Sequence, residues 1–376
     1  MTHRGRLTVG LVCGGRSGEH EVSLVSAAAV YRAFDPRRYR VIPIGIDHDG
    51  TWRMLHPPGE VGPMRIGRGD PEAVLAPGRR PRIRYRHVGR ETVIDIDVFF
   101  PVLHGPYGED GTIQGLFEMC GAPYAGAGVL ASAVGMDKIA MKAVFEKAGL
   151  TVAPYVGFTV EDWKHRRIQI EEQILETLDL PCFIKPGNSG SSVGISKVKK
   201  IEQLGAAITE AFRYDRKVLA ERAIIGQEIE CSVLGNDSPR TSLPGEVIPS
   251  REYYDYWDKY IGGKTKFKIP ADLPGDTVAR VQEAAVAAYR AVDCSGMARV
   301  DFFIEPANAV HTERLYVNEI NTIPGFTNIS MYPKLWEVSG LSYKELIDEL
   351  IDLALRRFRQ KSKLRTTWQQ GRKLLK

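Results

Sequence analysis

The feature that most restricts this chain is a recurring unit: an apolar run of strand length, stopped by glycines or a lysine, then a loop of small residues, then a helical pattern. Residues 7–13 (LTVGLVC) are almost wholly apolar and end at Gly14-Gly15. A run that short and continuous reads as a buried strand of a parallel sheet. From Glu21 to about Phe34 the spacing predicts a helix with Val22, Val25, Ala29 and Ala33 on one face. Residues 41–46 (VIPIGI) give a second strand, and Asp49-Gly50 signals a turn before Trp52. Residues 56–82 read as a loop, and 94–103 as the next strand. Strand, helix, strand with glycines at the strand ends implies an α/β chain with an open N-terminal sheet.

A second series begins further on. Helices are expected over 112–120 and 137–149, then a strand over 182–185 ending in Lys185. A helix over 199–214, strands over 217–221 and 227–235, a helix over 276–292, strands over 298–304 and 315–320, and a helix over 343–359 follow. Boundaries fall near 130 and 215, giving units 1–130, 131–215 and 216–360, with a basic tail over 361–376.

Composition narrows the function classes. Lys plus Arg number 51 and Asp plus Glu 46, a net charge of +5, too weak for a dedicated nucleic-acid binder. No apolar run reaches the roughly 18–20 residues of a membrane span, and no secretory signal pattern opens the chain. The five cysteines are scattered and form no C-x-x-C pair, so they read as buried thiols of a reducing cytoplasm. The eight histidines show no zinc spacing.

Four motifs carry chemistry. Lys185 precedes PGNSGSSVG, a loop whose backbone N–H groups can approach phosphate without side-chain clash while the lysine adds charge. The order is not that of a Walker A loop, and a plain surface turn is the simpler alternative. Next, Arg299 and Asp301 share one strand face, as do Glu319 and Asn321. On adjacent strands these would gather hard oxygen ligands suited to magnesium beside an arginine. Two amphipathic strands with polar outer faces are the alternative. The stretch 321–330 offers an unhindered Gly325 N–H and then Ser330. The loop 14–21 carries Glu19 and Glu21, which would repel phosphate and suit an amine-bearing ligand.

Together these stretches resemble the D-alanine–D-alanine ligases of the ATP-grasp superfamily. The resemblance covers roughly residues 7–358, through GGRSGEHEVS (14–23), LHGPYGEDGTIQG (103–115), MDK (136–138), KPGNSGSSVG (185–194), EYYDYWDKY (252–260), RVDF (299–302) and NEINTIPGFTNIS (318–330). It implies an ATP-grasp fold preceded by an open α/β (pre-ATP-grasp) unit. It implies that ATP phosphorylates one D-alanine and that the amine of a second attacks the acyl phosphate, for peptidoglycan precursors. Lys138, Lys185 and Lys259 are implied to contact ATP phosphates, and Glu221 and Glu228 the adenine and ribose. Asp301, Glu319 and Asn321 are implied to hold two Mg2+ ions, with Mn2+ a possible substitute. Glu19 would bind the first ammonium with His104 nearby, Arg299 and the Gly325 N–H the oxyanion, and Ser330 and the Met331 N–H the second carboxylate. Ser191 and Tyr260 match the pair that, with Glu19, ties a lid over 253–267 across the site. Tyr260 follows the dipeptide-forming pattern; D-alanyl-D-serine formation, or another ATP-grasp carboxylate–amine ligation, is the alternative. A cytoplasmic homodimer acting on small molecules, with no nucleic-acid or membrane partner, completes the expectation.

Overall fold

The computed structural model describes residues 5–78, 80–190, 193–249, 265–308, 311–327 and 329–365. Its first sheet runs Trp52–Met54, Tyr39–Ile46, Leu7–Gly14, Val98–Pro101 in spatial order. Leu7–Gly14 pairs in parallel with both neighbours, as its unbroken apolar run requires. Helix His20–Ala33 packs on it, but its buried face is Leu24, Ala27, Ala28 and Val30, while Val25 points outward. The expected strand over 94–103 is two elements, Arg90–Asp95 and Val98–Pro101. Between them Asp97 turns the chain: its carboxylate accepts the Thr8 N–H at 2.8 Å. The first element joins Ala73–Ala76 and Arg82–His87 in a three-stranded antiparallel sheet, so part of the expected loop is strand.

The third sheet is antiparallel, in the order Ser196–Val198, Cys182–Pro186, Lys217–Arg222, Tyr155–Thr159. A boundary at 215 would cut through this sheet. Its covering helix Val160–Leu178 has no counterpart in the sequence reading, which left 150–181 unassigned. That helix buries only Ile170, Ile174 and Leu178, a single row four residues apart, and starts in a Thr159–Asp162 capping box. Where a helix was expected over 199–214, the chain forms a short 3-10 turn Ile201–Gln203 and helix Leu204–Ala211.

The last sheet runs Lys266–Lys268, Gly245–Ile248, Gln227–Gly235, Gly296–Glu305, Arg314–Asn321, with Arg240–Thr241 paired on Gln227–Gly235. Helix Gly275–Ala291 packs against it. Helices Met331–Val338 and Tyr343–Lys361 share one core with the first sheet: Leu346, Leu350, Ile351 and Trp336 pack with Val9, Leu11 and Phe100. The two ends of the chain are therefore one packed body. All five cysteines are buried and unpaired, and burial pushes the thiols up, Cys13 and Cys231 to about 12. Among the described residues no helix is long and apolar enough to cross a membrane.

Candidate active site

The third and fourth sheets face each other across a cleft of about 530 Å³ whose lining includes Lys138, Lys185, Glu221, Glu228 and Glu319. Strand Cys182–Pro186 delivers Lys185, and its neighbour Lys217–Arg222 delivers Glu221. Glu221 is 2% exposed and its carboxylate bridges two lysines, Lys185 on one oxygen and Lys142 on the other. Burial alone would raise its pKa; the two ammonium groups reverse this and hold it at about 2. Burial lowers the Lys142 pKa despite that carboxylate. For Lys185 burial is the largest influence, yet the glutamates around it leave its pKa raised.

The small-residue loop is held by its surroundings. Asp215 accepts the Asn188 backbone N–H at 2.7 Å and its side-chain amide at 2.8 Å. Lys138, the first residue of helix Lys138–Lys147, donates its backbone N–H to Gly187 and its Nζ to Ser189 O, both at 2.9 Å. Lys138 Nζ also lies 3.3 Å from Glu319 Oε2. Asp137 caps that helix through the Ile139 and Ala140 N–H groups and pairs with Lys217.

Strand register assembles the acidic set. Asp301 stands opposite Glu319, and Arg299 opposite Asn321. Asn321 Nδ2 donates to Asp301 at 3.0 Å, and Arg299 donates to both Asp301 oxygens at 2.7 Å. Arg299 Nε also lies 3.0 Å from Glu230, a buried carboxylate on the adjoining strand. Burial opposes the Arg299 charge, but Asp301 and Glu230 outweigh it and raise its pKa. Two carboxylates and a carboxamide with no nitrogen or sulfur ligand suit a hard divalent ion such as Mg2+.

Glu19 is 7% exposed and lies where two glycines leave room for it. A Cβ at Gly105 would stand 2.6 Å from Glu19 Oε2, and one at Gly190 2.8 Å. Gly190→Ala should therefore displace the Glu19 carboxylate and raise KM for the first amino acid about tenfold or more; a KM for that amino acid equal to wild type would refute this. Ser330 caps helix Met331–Val338 by position, and its Oγ lies 2.7 Å from Thr327 Oγ1 and 3.0 Å from where a Gly325 Cβ would be. His104 is buried with both ring nitrogens engaged, Nδ1 at Ile323 O (3.1 Å) and Nε2 at Ser26 Oγ (3.2 Å). Ser191, Lys259 and Tyr260 lie outside the described residues.

Three contributors escaped the sequence reading: Lys142, Glu230 and Glu109. Lys142 lies four residues after Lys138 on the same inward helix face, and that spacing was the available signal. Glu230 alternates with Glu228 on its strand. Glu109 sits inside a motif already singled out. Its enclosure and the nearby Glu19 push it up to about 8, against two backbone N–H bonds that favour the carboxylate. Away from the cleft, His20, Glu21 and His48 also gather. The two imidazoles stack at 3.8 Å and 21°, so their nitrogen lone pairs run side by side rather than toward one point.

Comparison with known proteins covers most of the chain. A family described as "D-ala D-ala ligase N-terminus" matches residues 8–127, and "D-ala D-ala ligase C-terminus" matches 144–352. A D-alanine–D-alanine ligase of Natranaerobius thermophilus is 47% identical over 367 residues, covering 97% of this chain and 100% of that protein. The solved D-alanine–D-alanine ligase of Coxiella burnetii superposes with a TM-score of 0.82 at 37% identity, covering 96% of this chain and 97% of that one. The VanG D-Ala:D-Ser ligase of Enterococcus faecalis superposes at 0.80 with 35% identity, covering 93% and 99%.

Proposed function

The chain belongs to the D-alanine–D-alanine ligase family, and from that premise we propose how its residues divide the work of joining two D-alanines at the expense of ATP. The fold is ATP-grasp, and the reaction makes a peptidoglycan precursor with ADP and phosphate as co-products. The observation that carries the reading is the cleft itself, with Lys138 and Lys185 on one wall and Glu319 on the other.

In our reading Glu221 and Glu228 accept from the adenine amine and ribose hydroxyls, and Lys138, Lys185 and Lys259 hold the phosphates. Glu19 receives the ammonium of the first D-alanine. The carboxylate oxygen of that D-alanine attacks the γ-phosphorus, ADP leaves, and D-alanyl phosphate forms. The amine of the second D-alanine, held by Ser330 and the Met331 N–H, loses a proton and attacks the acyl carbon. Arg299 and the Gly325 N–H stabilise the oxyanion before phosphate departs. Asp301, Glu319 and Asn321 would hold Mg2+, two ions with Mn2+ able to substitute, which neutralises triphosphate charge when bound. Ser191 and Tyr260, outside the described residues, are proposed to act with Glu19 in keeping water from the acyl phosphate.

The proposed units are 1–130, 131 to a boundary between 222 and 227, and the remainder to 360, so that each sheet stays whole. A cytoplasmic homodimer is part of the reading. Leu116, Met119, Val129 and Leu130 support the dimer: they are exposed apolar side chains on two packed helices, Thr112–Met119 and Val129–Met136. The D-Ala:D-Ser ligase among its structural neighbours keeps D-serine as the second reading for the second subsite. Supplying ATP, Mg2+ and D-alanine with D-serine and D-lactate in competition, and weighing products by mass, decides between them. D-alanyl-D-alanine should dominate with one ADP per bond; a D-alanyl-D-serine majority favours the alternative, and ADP without ligated product overturns the reading.

A further inference from the structure

Two side chains of the 104–109 loop grip the backbone of a single residue in the loop opposite. His104 Nδ1 lies 3.1 Å from the Ile323 carbonyl oxygen, and Glu109 Oε1 accepts the Ile323 N–H at 3.2 Å. A carbonyl only accepts, so Nδ1 carries the proton and Nε2 is left to accept from the Ser26 hydroxyl at 3.2 Å. Burial lowers the His104 pKa, which favours this neutral tautomer. The second Glu109 oxygen accepts the Gly105 N–H at 2.9 Å, so one carboxyl group staples its own loop to the opposite one. The Ile323 side chain is 2% exposed and packs in the core with Phe326 and Tyr332.

Ile323 sits two residues after Asn321 and two before Gly325, in a stretch with no helix or strand to fix it. A peptide donor aimed at developing charge works only if it is held close to its productive position, because a misplacement near 1 Å can cost roughly 100-fold in rate. We propose that Glu109 and His104 are positioning residues that clamp the Ile323 backbone and through it set the Gly325 N–H against the developing oxyanion. The inference rests on the role proposed above for Gly325. It makes His104 act through the backbone of the neighbouring loop, since both its ring nitrogens are engaged. It also couples two subsites, because Gly105, which Glu109 holds, is one of the two glycines against Glu19.

The test uses the full chain with Glu109→Gln and Glu109→Ala. Glutamine keeps one acceptor oxygen and alanine none. We expect kcat to fall about tenfold in the first and about 100-fold or more in the second, with the Kd for Mg-ADP by calorimetry within about twofold of wild type. Hydrogen exchange at the Ile323 amide should quicken in the same order. A kcat within about twofold of wild type in Glu109→Ala overturns the positioning role. So does a fall in kcat matched by an equal loss of Mg-ADP affinity in both variants, which is general damage. A fall in kcat with unchanged Ile323 exchange overturns the clamp and leaves the proposed function standing. A wild-type chain that makes no dipeptide overturns the proposed function instead, and the exchange measurement still reads the clamp.

Discussion

Asp301→Asn and Glu319→Gln should each cut turnover by roughly 100-fold or more, the scale of one strong transition-state electrostatic contact, while the fold survives. Each change removes a formal negative charge where a divalent ion must be held against a triphosphate. The structure says why folding should tolerate it. Arg299, which donates to both Asp301 oxygens, keeps the buried Glu230 as a second partner. Glu319 is partly exposed and pairs with Lys138, which also donates to Ser189 O. Arg299→Ala is a poorer probe of the same site, because it strands Asp301 and Glu230 as neighbouring buried carboxylates and confounds rate with stability. The measurement is kcat against Mg2+ concentration with melting temperature recorded in parallel. Near-normal kcat in both variants at saturating Mg2+ would remove these residues from the metal site.

How much of this was legible beforehand depends on the kind of signal. Leu7–Gly14 is a nearly continuous apolar run stopped by glycines, and Cys182–Pro186 a shorter one stopped by a lysine; such runs announce buried strands whatever surrounds them. The acidic set was legible by alternation: Arg299 with Asp301, and Glu319 with Asn321, had to share faces. That the two faces stand opposite each other is a matter of register, which no local pattern states and the strand pairing supplies. Helix Val160–Leu178 was hidden because a helix covering a sheet with a single apolar row looks polar in sequence. Lys142 was hidden for the opposite reason. A lysine on a helix reads as solvated, and only the fold shows that this one is 1% exposed with its ammonium on Glu221. The 104–109 loop was conspicuous for its glycines, yet the consequence of Glu109 lies in a partner more than 200 residues away.

Glu221→Ala should be the most destabilising single change at the site, by about 3–5 kcal/mol, because it leaves the buried Lys142 ammonium without its counter-charge. The chain has two ways to relieve this: Lys142 can lose its proton, or the region can loosen and admit water. Both cost free energy that the wild-type pair avoids. Removing Glu221 and Lys142 together should cost much less, so Glu221→Ala with Lys142→Met should recover most of the loss, and the cycle closed by the Lys142→Met single variant measures the coupling directly. Acid unfolding gives an independent reading. Glu221 is held at about 2 in the folded chain against an ordinary 4.5. Between those values the unfolded chain binds a proton that the folded chain does not, so stability rises with pH there. The contribution is fully present above about pH 4.5 and disappears as pH falls toward 2. Wild type should therefore lose stability more steeply over that window than the double variant, which carries no ionisable group at either position. Urea midpoints at half-unit pH steps from 2 to 7 make the comparison. Parallel acid profiles, or a Glu221→Ala loss below about 1 kcal/mol, would mean that Lys142 and Glu221 are not a buried ion pair in solution.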